Sequence, residues 1–159
     1  MVYAENRQKK PLSILLVEDN PAHAELIKRS LEEFRHRSDI VHLMDGEQAL
    51  DYLFQRGIYA HRTTQQLPHL ILLDLRLPGL SGFDVLKQIR AAAEETLRRI
   101  PVVILSTSGA ESDVACAYES HANGYIVKPM DFEELTSLMN SVCTYWLGVN
   151  YYPWSQGVS

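Results

Sequence analysis

Cysteine is scarce in this chain. Cys116 and Cys143 are the only two in 159 residues, too few for a disulfide framework or a four-thiolate metal site. Basic residues are in deficit as well: 15 Lys plus Arg face 20 Asp plus Glu, for a formal net charge of -5. A general nucleic-acid binder needs a basic face to neutralise phosphates, so no direct nucleic-acid contact is expected. Long apolar runs are missing too. Leu70–Leu73 and Val102–Leu105 are far too short to cross a bilayer, and no membrane association is expected. Lys9 and Lys10 precede the apolar stretch Leu12–Val17, but Ser13 interrupts it and Glu18-Asp19 ends it. It therefore has neither the length nor the cleavage site of a secretion signal. The six histidines are scattered, without Cys or carboxylate partners at metal-ligand spacing. These absences lead to the expectation of one cytoplasmic domain with a real core.

Five short apolar runs are present: Leu12–Val17, Ile40–Leu43, Leu70–Leu73, Val102–Leu105 and Tyr125–Val127. Three are continuous rather than alternating, as parallel strands buried on both faces require. Helical spacing fills the intervals. Asn20-Pro21 reads as an N-cap and first turn ahead of Ala24, Ile27, Leu31 and Phe34. Gly46 to Phe54 repeats the pattern. Ser81-x-x-Asp84, Ser108-x-x-Glu111 and Asp131-x-x-Glu134 mark three further helix starts. Ala91 to Ile100 reads as a continuation of the third helix that then turns before Pro101, and Gln55 to Pro68 as an exposed loop. The fifth helix is predicted from about Phe132 to Leu147. Five β-α units imply a doubly wound five-stranded parallel sheet, flavodoxin-like in order 2-1-3-4-5, with helices on both faces.

The chemistry gathers at the carboxyl ends of those strands. Glu18 and Asp19 follow the first, Asp74 closes the third, Ser106 and Thr107 end the fourth, and Lys128 ends the fifth. In that strand order the first and third strands are neighbours, so three carboxylates converge on one crevice. Like charges that close raise one another's pKa or recruit a cation. An all-oxygen site with water access suits Mg²⁺, with Mn²⁺ or Ca²⁺ as substitutes. Lys128 and the Ser106 hydroxyl can then hold phosphoryl oxygens, leaving Asp74 as the nucleophile of a phosphoryl transfer. Each motif alone has an ordinary explanation: a helix cap for Glu18-Asp19-Asn20-Pro21, a strand-ending turn for Asp74, loop hydroxyls for Ser106 and Thr107, a solvated charge for Lys128. Their joint placement on one sheet edge favours the functional reading.

In the stretches Leu15-Leu16-Val17-Glu18-Asp19-Asn20, Ile71-Leu72-Leu73-Asp74-Leu75-Arg76-Leu77-Pro78, Val102-Val103-Ile104-Leu105-Ser106 and Gly124-Tyr125-Ile126-Val127-Lys128-Pro129, the chain resembles a two-component response regulator receiver domain. The likeness covers nearly all of it: a tail over 1–11, a receiver over 12–148 and a second tail over 149–159. The resemblance implies Asp74 as phosphoacceptor and Asp19 as a direct metal ligand. It also implies Glu18 acting largely through water, the Arg76 backbone carbonyl as a further ligand, and Lys128 as the phosphoryl-binding lysine before a cis proline bond. Ser106 matches the switch hydroxyl, where Ser replaces the commoner Thr, and Tyr125 the switch aromatic. Their motion would repack the face of the fourth helix, fifth strand and fifth helix. Arg76 and Ser108 fall where side chains tune phosphoryl lifetime.

Leu53-Phe54-Gln55-Arg56-Gly57, the loop after it, the segment before Pro101 and Tyr145-Trp146-Leu147 are similar to the small stand-alone regulators of cyanobacterial phytochrome histidine kinases. That narrower likeness implies a phytochrome-type histidine kinase as phosphodonor, and a homodimer. Tyr145, Trp146, Tyr151, Tyr152 and Trp154 offer a candidate self-association surface, since clustered Tyr and Trp are enriched in interface hot spots. With no output module expected, signalling would pass to an unknown downstream protein or through dimerisation.

The chain is thus expected to be a switch rather than an enzyme with an external substrate. A phosphatase using Asp74 would want an acid two residues on, where Arg76 stands, and a flavin-phosphate site after the first strand would be repelled by Glu18-Asp19. A receiver-like scaffold independent of phosphorylation is the remaining alternative. Cys116 and Cys143 read as small buried apolar residues, and Arg35, Arg37, Arg90, Arg98 and Arg99 as solvated.

Overall fold

Strand residues alternate between two faces, and here both faces are apolar, so each face needs its own cover. The computed structural model describes residues 11–34, 38–63 and 66–153. Its strands are β1 (Leu12–Val17), β2 (Ser38–Leu43), β3 (Leu70–Leu73), β4 (Val102–Ser106) and β5 (Gly124–Val127), all parallel in order β2-β1-β3-β4-β5. The helices are α1 (Pro21–Glu33), α2 (Gly46–Phe54), α3 (Gly82–Arg90), a short α4 (Glu95–Arg98), α5 (Glu111–Glu119) and α6 (Phe132–Cys143).

One core lies on the face carrying Leu15, Val17, Ile71, Leu73, Val102 and Ile104, covered by Ala49, Leu50 and Leu53 of α2 and Val85, Leu86 and Ile89 of α3. The other holds Ile14, Leu16, Leu70, Leu72, Val103 and Leu105 under Ala24, Ile27 and Leu31 of α1 and Leu135, Met139 and Val142 of α6. The two cores are the two sides of a doubly wound sheet, as the periodicity predicts.

Helix starts follow the caps, with one exception. Asn20 Oδ1 accepts from the Ala22 and His23 amides, and Pro21 opens α1. Ser81 and Asp84 form a reciprocal capping box on α3. Ser108 does not cap the next helix: α5 starts at Glu111 behind Ala110, which has no side-chain cap. The Ser108 hydroxyl instead donates to Asp113 Oδ2 at 2.5 Å.

Nor does α3 continue into Ala91 and beyond before the turn at Pro101. It stops at Arg90, and Glu94 caps the separate turn α4 by accepting from the Leu97 amide at 2.7 Å. Arg90 is not solvated either. Its guanidinium donates to the carbonyls of Arg98, Ile100 and His121 and to Asn123 Oδ1, satisfying loop groups that no ladder reaches. Arg98 likewise donates to the Ala92 carbonyl, while Arg99 pairs with Glu95 on the surface. Arg35 and Arg37 lie outside the described residues.

The connection after α2 is anchored. Arg62 stacks 3.4 Å over the Tyr52 ring and donates to the carbonyls of Tyr52 and Gln66. Beyond α6 the chain continues in a π-helical turn, Thr144–Val149. Tyr152 then folds back into the core at 3 % exposure, its hydroxyl donating to the Trp146 carbonyl at 2.7 Å and its ring against His69. Tyr152 is therefore a core residue and not part of a self-association surface. Burying its ring outweighs leaving it on a tail. Tyr145 and Tyr151 are half exposed, Trp146 is partly buried, and Trp154 lies outside the described residues. Among the described residues, no helix is long and apolar enough to cross a membrane.

Candidate functional site

The sheet ladder places the polar residues. The Asp74 amide donates to the Val17 carbonyl (3.0 Å), the Glu18 amide to that of Leu43 (3.1 Å), and the Lys128 amide to that of Ser106 (2.6 Å). Each strand thus ends beside its neighbour, and the functional side chains leave from the same edge. Tight packing of α3 closes the floor: a Cβ on Gly82 would lie 2.2 Å from the Asp74 carbonyl oxygen, so only glycine allows this approach.

Lys128 sits at the centre, buried with its side chain 2 % exposed. Its Nζ donates to Glu18 Oε2 at 2.8 Å and to Asp74 Oδ2 at 3.3 Å, and lies 3.1 Å from His23 Nδ1. The Asn20 amide donates to Glu18 Oε1, and the Arg76 amide to Asp74 Oδ1. Burial pushes the Glu18 carboxyl up to about 7, against the pull of Lys128 and with a further push from Asp74.

One carboxylate oxygen from each of Glu18, Asp19 and Asp74 lies within 4.8 Å of the others. Asp19 is the more open of the three, whereas both Glu18 oxygens already accept hydrogen bonds. This hard-oxygen donor set fits a small divalent cation held by Asp19 and Asp74, with Glu18 behind.

Ser106 is fully buried at the end of β4, and its Oγ accepts from the Ser108 amide at 3.1 Å. The Tyr125 hydroxyl donates to the Ser108 carbonyl at 2.7 Å, tying β5 to the same loop. Arg76 is exposed, 4.0 Å from Asp113. Against the resemblance, the bond before Pro129 is trans, the lower-energy isomer of an X–Pro amide.

The sequence reading missed His23. Its signal was present: it lies one helical turn into α1, directly after the Asn20 cap, where α1 begins beside the acidic pair. Burial lowers its pKa, and the neighbouring Lys128 charge lowers it further.

Residues 14–140 match the response regulator receiver domain family. The chain belongs to that family. This receiver is 46% identical over 144 residues to the probable methanogenesis regulatory protein FilR2 of Methanothrix harundinacea, spanning 90% of the chain and 88% of that protein. It is 38% identical to the response regulator Rcp1 of Synechocystis, over 86% of the chain and 90% of Rcp1. Among solved structures, the phosphorylated cyanobacterial phytochrome response regulator RcpA superposes with a TM-score of 0.83 at 39% identity, covering 91% of this receiver and 99% of RcpA. The Mn²⁺-bound form of Rcp1 gives 0.83 at 37% identity, covering 90% and 99%. The receiver is thus a response regulator close to those of cyanobacterial phytochromes, with a site suited to a divalent metal.

Proposed function

We propose that this receiver accepts a phosphoryl group on Asp74 from the phosphohistidine of a phytochrome-type histidine kinase, with Mg²⁺ as the working metal. The observation that carries the reading is the placement of the buried Lys128 ammonium 3.3 Å from Asp74 Oδ2, beside two further carboxylates. A carboxylate oxygen of Asp74 attacks phosphorus, the P–N bond to the donor imidazole breaks, and its electron pair leaves on that nitrogen. Lys128 and the Ser106 hydroxyl, turned from its present bond, hold the transferred phosphoryl oxygens. Asp19, Asp74 and the Arg76 carbonyl would hold the metal, which neutralises equatorial phosphoryl charge when bound. The acyl phosphate is later lost to water, and no external substrate is turned over.

Phosphorylation pulls Ser106 Oγ away from the Ser108 amide, freeing the loop that Tyr125 now holds. That shift biases the face built by α5, β5 and α6, which mediates self-association or passes the signal to a partner. The intact acidic cluster speaks against a scaffold that works without phosphorylation. Light dependence is supported by the RcpA and Rcp1 likeness, while the 46% identity to FilR2 supports a second reading in which the donor kinase senses another signal. Incubating the receiver with a radiolabelled, autophosphorylated phytochrome-type kinase tests the choice. Rapid transfer of label to wild type but not to Asp74→Asn supports the first reading. No transfer, in a protein that labels from a small phosphodonor, supports the second.

A further inference from the structure

Lys128 carries three N–H donors and has three acceptors in reach: Glu18 Oε2 at 2.8 Å, His23 Nδ1 at 3.1 Å and Asp74 Oδ2 at 3.3 Å. Two of these come from strand ends, and the third comes from the first turn of α1. An ammonium on a four-carbon stem is otherwise free to rotate and to settle fully on the nearer carboxylate. Here Glu18 and His23 take one N–H each, so the remaining one can only face Asp74. A third carboxylate at position 23 would hold the lysine more strongly, but it would compete with an incoming phosphoryl group for the same charge. A neutral imidazole supplies an acceptor without adding negative charge. The ring also meets Phe132 at the start of α6, edge-on with centroids 6.3 Å apart.

We infer that His23 is a positioning residue for phosphoryl transfer: its neutral imidazole accepts from Lys128 through Nδ1, carries its proton on Nε2, and fixes the lysine's third donor on the phosphoacceptor. The inference rests on Asp74 being that phosphoacceptor. The hydrogen bond of His23 into the site is the one with Lys128, while Asp19 and Asp74 act on its ring only through their charge. His23 lies outside the carboxylate cluster that could hold a metal, so metal affinity is expected to change little when it is replaced.

The test follows phosphorylation by phosphoramidate in Mg²⁺ for wild type, Asp74→Asn, His23→Leu, His23→Asn and His23→Gln. Asn places its amide oxygen close to where Nδ1 lies, whereas the Gln acceptor sits one bond further out. The expected maximal rate falls about tenfold in His23→Leu, the loss of one charge-assisted hydrogen bond. Half-saturation by donor and Mg²⁺ affinity stay within about twofold. His23→Asn recovers most of the rate and His23→Gln does not, a pattern that loss of packing alone would not give. Should His23→Leu fail to fold, the Asn and Gln variants still decide. ¹⁵N NMR of the wild-type imidazole is expected to show Nδ1 as the unprotonated nitrogen. Wild-type rates in His23→Leu, equal rates in the Asn and Gln variants, or a protonated Nδ1 in neutral His23 would each overturn the inference. A wild type that takes no label at all would overturn the role of Asp74 instead.

Discussion

Glu18 and Lys128 form a buried ion pair, Oε2 to Nζ 2.8 Å apart, with side chains 1% and 2% exposed. Such a pair adds little net stability, because desolvating both charges offsets their attraction. Its value here is placement: the lysine is held beside Asp74 by a carboxylate that is itself hard to ionise.

The raised carboxyl makes stability depend on pH. The Glu18 carboxyl is raised from an ordinary value of 4.5 to about 7, so between these values the folded state binds the extra proton. The Glu18 contribution is fully present below about pH 4.5 and is lost as pH rises through about 7. In EDTA, urea unfolding is expected to show wild type losing stability relative to Glu18→Gln over that window, by on the order of 1–3 kcal/mol. Added Mg²⁺ should restore more at about pH 8 than at about pH 5, since metal and proton compete for the cluster.

Gly82→Ala tests the packing of α3 beneath the site. The new Cβ would fall 2.2 Å from the Asp74 carbonyl and 2.8 Å from Leu75 Cα, both backbone atoms that cannot step aside alone. Overpacking of this kind costs roughly 1–3 kcal/mol. A lower urea midpoint together with slower phosphorylation is expected, because the displaced strand end carries Asp74, the proposed phosphoacceptor.

The loop after β4 predicts phosphoryl lifetime. Ser108 joins Ser106, Tyr125 and Asp113, and Arg76 lies beside Asp113 at the mouth of the site. Ser108→Ala and Arg76→Ala should each change the autodephosphorylation rate severalfold, measured by loss of radiolabel after donor removal. Unchanged rates in both would remove these residues from lifetime control.

Thiol chemistry tests the second core. Cys143 is 1% exposed, and burial pushes its thiol up to about 12, whereas Cys116 on α5 is partly exposed. Iodoacetamide at about pH 8 is expected to alkylate Cys116 in the native protein, and Cys143 only after unfolding. Rapid native modification of both would mean that the α1–α6 core opens readily.

The sheet and its site were legible because both rest on strong local signals. Continuous apolar runs as short as Leu70–Leu73 and Val102–Leu105, bounded by turn residues, read as buried strands, and in a parallel sheet the residues ending such runs share the carboxyl edge. Asp19, Asp74 and Lys128 were therefore placed by order alone. Arg90 and Tyr152 were not legible. The fate of a long polar side chain depends on orphan carbonyls such as those of Arg98, Ile100 and His121, which appear only once the loop closes. Whether Tyr152 is buried depends on space beside His69 that is distant in sequence. His23 was legible only in part: its place in the first turn of α1 beside the acidic pair could be read, but its partner Lys128 is brought to it by the sheet. Ser108 misled because a capping box and a loop hub share one residue pattern.

The central claim is that Asp74 receives the phosphoryl group, and intact-protein mass spectrometry after incubation with phosphoramidate and Mg²⁺ tests it most directly. Wild type is expected to gain one phosphoryl mass, acid-stable and base-labile, mapped to Asp74 and absent from Asp74→Asn. A wild type that gains no mass, or an Asp74→Asn variant that gains as much, would contradict it.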